Sequence, residues 1–272
     1  MLDKTSEAVA TTEIVLAAGD LHDALRRVRH AISKEETRYY LCGVYLHYVT
    51  RDNLLRFVAT DGHRLAVADI PAPQGTHNIR AVILSRAFVT DAIRATNKPR
   101  DAHKQVCLAL GPNDSFLTPW DGWVIEGALV HGTFPDYERV IPLGEPQHGR
   151  ATLSREPFMQ AVAAATAFAE GAAIKDPALR FAFAGGSLTV STVIEGCGSD
   201  CRGSASAVVG LSATTMPAPR DIGFRGAQVL DILRSLRGQH VRFDFFDMDG
   251  PNNFAGDPAD GGALHVIMPV RV

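Results

Sequence analysis

A repeated order of elements constrains this chain more than any other feature of its sequence. An amphipathic helix is expected with Asp20 as its cap, running from Leu21 to Ile32. Leu21, Ala24, Leu25, Val28 and Ile32 form one apolar stripe, and Arg26, Arg27 and His30 lie opposite. Strand-like runs follow at 41–49, 54–60 and 64–70, the last two joined by an Asp-Gly turn. Ser85 then caps a second helix, with Phe88, Val89, Ala92, Ile93 and Thr96 inward and Arg94 and Lys98 outward. Strands at 106–110 and 123–129 close the set.

The same order returns about 140 residues later. Ser154 precedes a third helix carrying Phe158, Val162, Ala165 and Ala169 on one face, with Gln160, Ala163 and Ala167 outside. Runs 180–184 and 187–193 make a hairpin around Gly185-Gly186. A fourth helix, 227–237, buries Val229, Ile232, Leu233 and Leu236, shows Arg234 beside Asp231, and stops at Gly238. Strands at 241–246 and 264–270 finish the chain. The pattern predicts an α+β fold, a tandem repeat of one domain with two helices packed on antiparallel sheets. The domains are expected at 12–145 and 150–272, joined through the 142–149 segment and preceded by a frayed arm, 1–11.

Composition narrows the function classes. Of the 272 residues, 46% are hydrophobic and 21% charged, the balance of a soluble globular protein. No run of about 18 apolar residues predicts a membrane span, and the first residues lack the basic start and apolar core of a signal peptide. A cytoplasmic protein with free thiols at Cys42, Cys107, Cys197 and Cys201 is expected. Cys197 and Cys201 lack the second Cys/His pair of a zinc site, so no metal and no cofactor is expected. The net charge of −3 gives no global sign of nucleic acid, so any such contact depends on where the cations sit.

The tetrapeptide Asp61-Gly62-His63-Arg64, set between two apolar runs, admits three readings. It is a polar hairpin turn, an Asp/His acid–base pair, or an edge that presents side chains to a partner. Alternation of side chains fails in a turn, and no nucleophile motif accompanies the pair, so no catalysis is expected. The run "DFFDMDGPNN", with Asp244, Asp247 and Asp249, misses calcium-loop spacing and reads as an acidic solvated turn. The basic faces of the first two helices are either plain solvated surface or a phosphate-facing surface.

"VATDGHRLAV" resembles the signature of the bacterial DNA polymerase III β subunit family, the sliding clamps. "TRYYLCGVYL" at 37–46, "FPDYERVIP" at 134–142 and "VIMPVRV" at 266–272 add to the resemblance in the same order. The family has three such domains in a chain that closes as a dimer, with strands outside a ring and helices lining a DNA-sized channel. This sequence resembles the second and third domains only.

The resemblance implies a pocket for short partner peptides, of a type with a glutamine followed by spaced hydrophobics. It places Leu41, Thr60, Gly62, His63, Arg64 and Leu65 on one wall and Pro135, Arg139 and Val140 on the next, while Val266, Met268, Pro269, Val270 and Arg271 close the site. Where the family has a second methionine this chain has Val270, and Val272 stands where a leucine is usual. Arg64 and Arg271 are expected to bond peptide carbonyls or carboxylates. The DNA-facing set is Arg26, Arg27, Arg94, Lys98 and Arg234, with Arg38, Tyr39 and Tyr40 beside the channel, the tyrosines being equally suited to a core.

The implied function is a processivity factor that encircles duplex DNA without sequence preference and docks DNA polymerase and clamp-loader subunits. A ring of six domains needs three copies of a two-domain protomer, so a homo-oligomer, a trimer, is expected. The alternative is a clamp-like module that does not encircle DNA and sequesters clamp-binding peptides.

Overall fold

The computed structural model describes residues 12–194, 203–257 and 263–272. Cys197, Cys201 and the 1–11 arm lie outside the described residues. The chain divides into two compact units, one of Met1–Asp61 and Val67–Pro135, the other of Gly62–Ala66 and Asp136–Val272.

The first unit runs β1 (Thr12–Ala17), α1 (Ala18–Val28), β2 (Gly43–Val49), β3 (Leu54–Thr60), β4 (Arg64–Pro71), β5 (Val82–Ser85), α2 (Arg86–Thr96), β6 (Gln105–Leu110), β7 (Asp114–Thr118) and β8 (Ile125–Ala128). The first residues of β4 are counted with the second unit. The second unit continues with β9 (Arg150–Ser154), α3 (Arg155–Gly171), β10 (Ala178–Ala184), β11 (Ser187–Ile194), β12 (Gly203–Thr214), β13 (Arg220–Arg225), α4 (Gly226–Ser235), β14 (His240–Asp244), β15 (Asn252–Gly256) and β16 (Leu264–Ile267).

Each unit therefore repeats strand, helix, four strands, helix, three strands. The pairing repeats as well. The ladders β1-β6-β7-β8 and β5-β2-β3-β4 of the first unit have counterparts in β9-β14-β15-β16 and β13-β10-β11-β12 of the second. The registers of β1 with β6, β2 with β5, β10 with β13 and β14 with β9 are antiparallel. In the second unit β12 bends past a bulge to pair with β9, at Leu211↔Leu153. The Gly185-Gly186 hairpin forms as expected, both glycines at positive φ and Ala184 opposite Ser187.

Apolar periodicity locates the helices because their stripes are the core. Phe88, Val89, Ala92, Ile93 and Thr96 are all buried on α2, and Ser85 accepts a hydrogen bond from Phe88 N. In the second unit Phe158, Phe181, Phe183, Phe224, Phe243, Phe245 and Phe254 form the heart of the core. Phe243 stacks on Phe183 at 5.6 Å and meets Phe245 edge-on at 4.9 Å.

Several expected boundaries move, each for a local reason. Helix α1 starts at Ala18, not Leu21, and Asp20 lies in its first turn rather than capping it. Ala18 N and Gly19 N donate to the carbonyls of Lys104 and Ala102 at 2.8 and 2.9 Å, so backbone does the work expected of the Asp20 side chain. Its α-helical turns end at Val28 and a 3-10 turn covers Arg29–Ala31. Leu41 ends a 3-10 helix, Glu36–Leu41, instead of opening a strand. Trp123 is exposed before β8, after a Gly122 turn at positive φ. Helix α4 ends at Ser235, with Leu236 extended. The acidic run is not simply a solvated turn: Asp244 is buried on β14 and pairs with Arg150 and Arg242 at 3.0 and 2.9 Å.

Phe243→Ala is expected to destabilise the second unit by about 3–5 kcal/mol, because a cavity replaces four ring contacts. Urea denaturation followed by near-UV dichroism measures this, and a loss under about 1 kcal/mol would show that the cluster collapses to fill the space.

Candidate functional site

Within the second unit, the carboxy-terminal run is laid across two backbones. Met268 N donates to His63 O at 3.0 Å, and Val270 N donates to Gly223 O of β13 at 2.9 Å. Gly62 sits at φ +90, which lets the chain turn sharply before Arg64. Gly223 has a steric reason to be glycine: a Cβ there would lie 2.2 Å from Val270 O and 2.7 Å from Val272 Cγ1. Between the terminal run and β13 lies a groove of about 630 Å³. Ile222, Met248, Pro269, Val270 and Val272 give it apolar surface, and Arg180, Asp221, Asp249 and Arg271 give it charge.

Arg64 is tied within the second unit. Its guanidinium is largely buried and Nη1 meets Asp231 Oδ2 of α4 at 2.9 Å. It pins the Gly62–Ala66 segment to the helix, and Arg271 is exposed at the end of the chain described. Arg139 is exposed and paired with Asp136 at 2.7 Å. Met268, Val140, His63, Gly62 and Pro135 are exposed, while Thr60, Pro269 and Val270 are half-buried. Leu41, Leu65 and Val266 are buried, so they support a surface instead of presenting one.

Sequence reasoning missed Gly223, Ile222 and Met248. A glycine inside an apolar strand pattern was the readable signal for a close backbone approach at 223. Asp61 and His63 are used through their carbonyls: Arg38 Nη2 donates to Asp61 O at 3.2 Å and Met268 N to His63 O. This fits a turn whose backbone is structural.

The expected cations of the first unit are unevenly placed. Arg27 is 6% exposed, so it is not on the outer face assigned to it. Arg26 is half-buried, and Arg29, which the pattern overlooked, is exposed. Arg94 is exposed but pairs with Asp91 at 3.0 Å, and Lys98 pairs with Asp121 at 3.6 Å. Arg94, Lys34 and Arg86 line a groove of about 530 Å³ that also holds Glu36 and Asp91. Arg38 is held by Glu35 through Nε at 2.7 Å. Tyr39 is exposed and meets Tyr40 edge-on at 5.7 Å, which places it at the surface rather than in the core. Arg234 is exposed on α4 of the second unit. Cys42 and Cys107 are free thiols, and burial beside Glu13 pushes the Cys107 thiol up. Among the described residues, no three His, Cys, Asp or Glu side chains cluster as a metal site, and no helix is long and apolar enough to cross a membrane.

Gly223→Ala is expected to dislodge the terminal run while leaving the core intact. Hydrogen exchange at the Val270 amide should lose at least tenfold protection, about 1.4 kcal/mol. Unchanged protection would show that β13 shifts to accommodate the methyl group.

Residues 15–136 match the family described as DNA polymerase III beta subunit, central domain. The beta sliding clamp of Caulobacter vibrioides is 33% identical over 265 residues, a stretch that is 96% of this chain and 66% of that protein. The chain thus spans about two thirds of the length of such curated relatives. A crystal structure of the Bartonella birtlesii sliding clamp bound to griselimycin superposes with a TM-score of 0.83 at 31% identity, covering 100% of this chain and 69% of that one. The C. crescentus sliding clamp gives 0.85 at 31% identity, over 100% and 68%. With this likeness along its length, the chain belongs to the DNA polymerase III beta subunit family, the bacterial sliding clamps.

Proposed function

We propose that this protein is a DNA sliding clamp, a non-catalytic cytoplasmic processivity factor. Its two clamp domains span 12–145 and 150–272. It encircles duplex DNA as a ring and docks DNA polymerase and clamp-loader subunits through short linear peptides. Three copies of the 272-residue chain supply the six domains of a ring.

The observation that carries this reading is the terminal run held across the second unit, with exposed Met268 beside a groove of apolar and charged residues. Methionine and the Val270 and Val272 side chains offer adaptable apolar surface for hydrophobic anchors. Arg271 stands where a carboxylate or carbonyl on the peptide can meet it. The Bartonella relative bound to griselimycin supports a ligand-accepting clamp.

The pairing of Arg94 with Asp91 and Lys98 with Asp121, and the burial of Arg27, favour a second reading. A surface compensated in this way holds phosphates weakly, as suits a module that binds clamp-binding peptides without encircling DNA.

Fluorescence anisotropy with a labelled peptide bearing a glutamine and spaced hydrophobics tests the main reading. Binding is expected near micromolar, roughly −8 kcal/mol, and Met268→Ala should weaken it about tenfold. Equal affinity in both proteins removes the peptide-site assignment.

DNA contact is tested separately with Arg94→Glu and Arg234→Glu on nicked circular duplex. Retention should fall at low salt, with a difference that shrinks as salt rises and no dependence on sequence. If wild type and variant are retained equally at low salt, those faces are ordinary solvated surface and the peptide-binding module is favoured.

A further inference from the structure

The groove between β13 and the terminal run is bordered by the turn from β14 to β15, and that turn is held from inside. Asn252 is fully buried, and its Oδ1 accepts from Phe246 N and Asp247 N at 2.8 and 3.2 Å. Its Nδ2 donates to Asp247 O and Gly250 O at 2.7 and 3.0 Å. One side chain thus fixes the backbone on both sides of Met248 and Asp249, the two turn residues that line the groove. Gly250 lets the turn close tightly, since a Cβ there would lie 2.5 Å from Asp247 Oδ2.

The charges around the groove are used unequally. Asp247 Oδ1 accepts from Asp249 N at 3.2 Å, so this carboxylate serves its own backbone. Arg180 and Asp221 face each other across the β10–β13 ladder, with Nε to Oδ2 at 3.1 Å, and neutralise one another. Arg271 and Asp249 are both exposed, and neither side chain has a charged or hydrogen-bonding partner among the described residues. The groove therefore offers a ligand one open cation, on the terminal run, and one open anion, on the turn.

We infer that Asp249 selects peptides carrying a lysine or arginine beside their hydrophobic anchors. The inference rests on the reading of this groove as the peptide site. Met248 and Asp249 line the groove as neighbours, so an anchor resting on the first brings an adjoining side chain to the second. A peptide cation there meets a carboxylate that gives up no partner to receive it. An acidic side chain meets an uncompensated like charge and is turned away. Because Asn252 already holds the turn, little ordering is left to be done on binding.

Labelled peptides with a glutamine and spaced hydrophobics test this by anisotropy, with lysine, alanine or glutamate placed in turn at each position flanking an anchor. At one such position lysine should bind about threefold more tightly than alanine at low salt, and glutamate about threefold more weakly. The spread should narrow as salt rises. Asp249→Asn should abolish it, Asp249→Lys should reverse it and Asp249→Glu should keep it, while Met268→Ala weakens all the peptides alike. The Asp249 carboxylate takes no part in the hydrogen bonds that hold the turn, so each variant should fold, with unchanged melting as the check. A spread that survives Asp249→Asn, or wild-type affinities that ignore peptide charge, overturns the inference and leaves the peptide site standing. A wild type that binds none of these peptides removes the peptide site and this inference together.

Discussion

Among the described residues all four helices start without a loop, and the architecture follows from that constraint. Ala17, Ser85, Ser154 and Arg225 are each the last residue of a strand and the N-cap of the helix that follows, with β-region dihedral angles. The strand direction therefore sets the helix direction, and each apolar stripe is aimed at the sheet with no slack in between. The exposed first-turn N–H groups need partners, and the repeat supplies them in matching places. Ala18 N bonds to Lys104 O just before β6, and Arg155 N bonds to Gln239 O just before β14 at 2.8 Å. Gly226 N finds Pro177 O at 3.0 Å, and α2 uses the Ser85 hydroxyl.

Direct junctions also demand close helix packing, which small residues permit. A Cβ on Gly226 would lie 2.2 Å from Thr166 Oγ1 on α3, and one on Gly127 would lie 2.5 Å from Phe88 Cβ on α2. In the first unit the helices are tied by chemistry as well: His22 Nδ1 of α1 lies 3.2 Å from Ile93 O and 3.3 Å from Thr96 Oγ1 of α2.

This explains which parts of the fold were legible. Helix faces announce themselves through the 3.6-residue period, so the buried stripes of α2 and α3 and their starts after Ser85 and Ser154 could be read, while Lys98, expected on the second helix, lies past its end at Thr96. Strands such as β1, β7 and β13 escaped notice because they are short, or because their partners are distant in sequence, as in Val15↔Cys107. The start of α1 was misplaced because Asp20 is a good capping residue, yet tertiary backbone partners had already satisfied the turn. At the site, residue identity was visible but role was not. The resemblance gives Arg64 a peptide to meet, and its pair with Asp231, 167 residues along the chain, leaves no trace in the local pattern.

The charges divide along the same line. Arg64 with Asp231 and Arg56 with Asp69 are shielded pairs at 2.9 and 2.7 Å, and each joins structural elements. Arg94 with Asp91, Arg139 with Asp136 and Arg180 with Asp221 stand at the surface, where water and salt weaken them. Exchanging such a surface partner for a phosphate or a peptide carboxylate costs little, because the pair was worth at most about 1 kcal/mol. The shielded pairs cannot be exchanged without exposing a desolvated charge. The chain thus ties its shielded cations to structural elements and leaves its exposed ones in pairs that water and salt weaken.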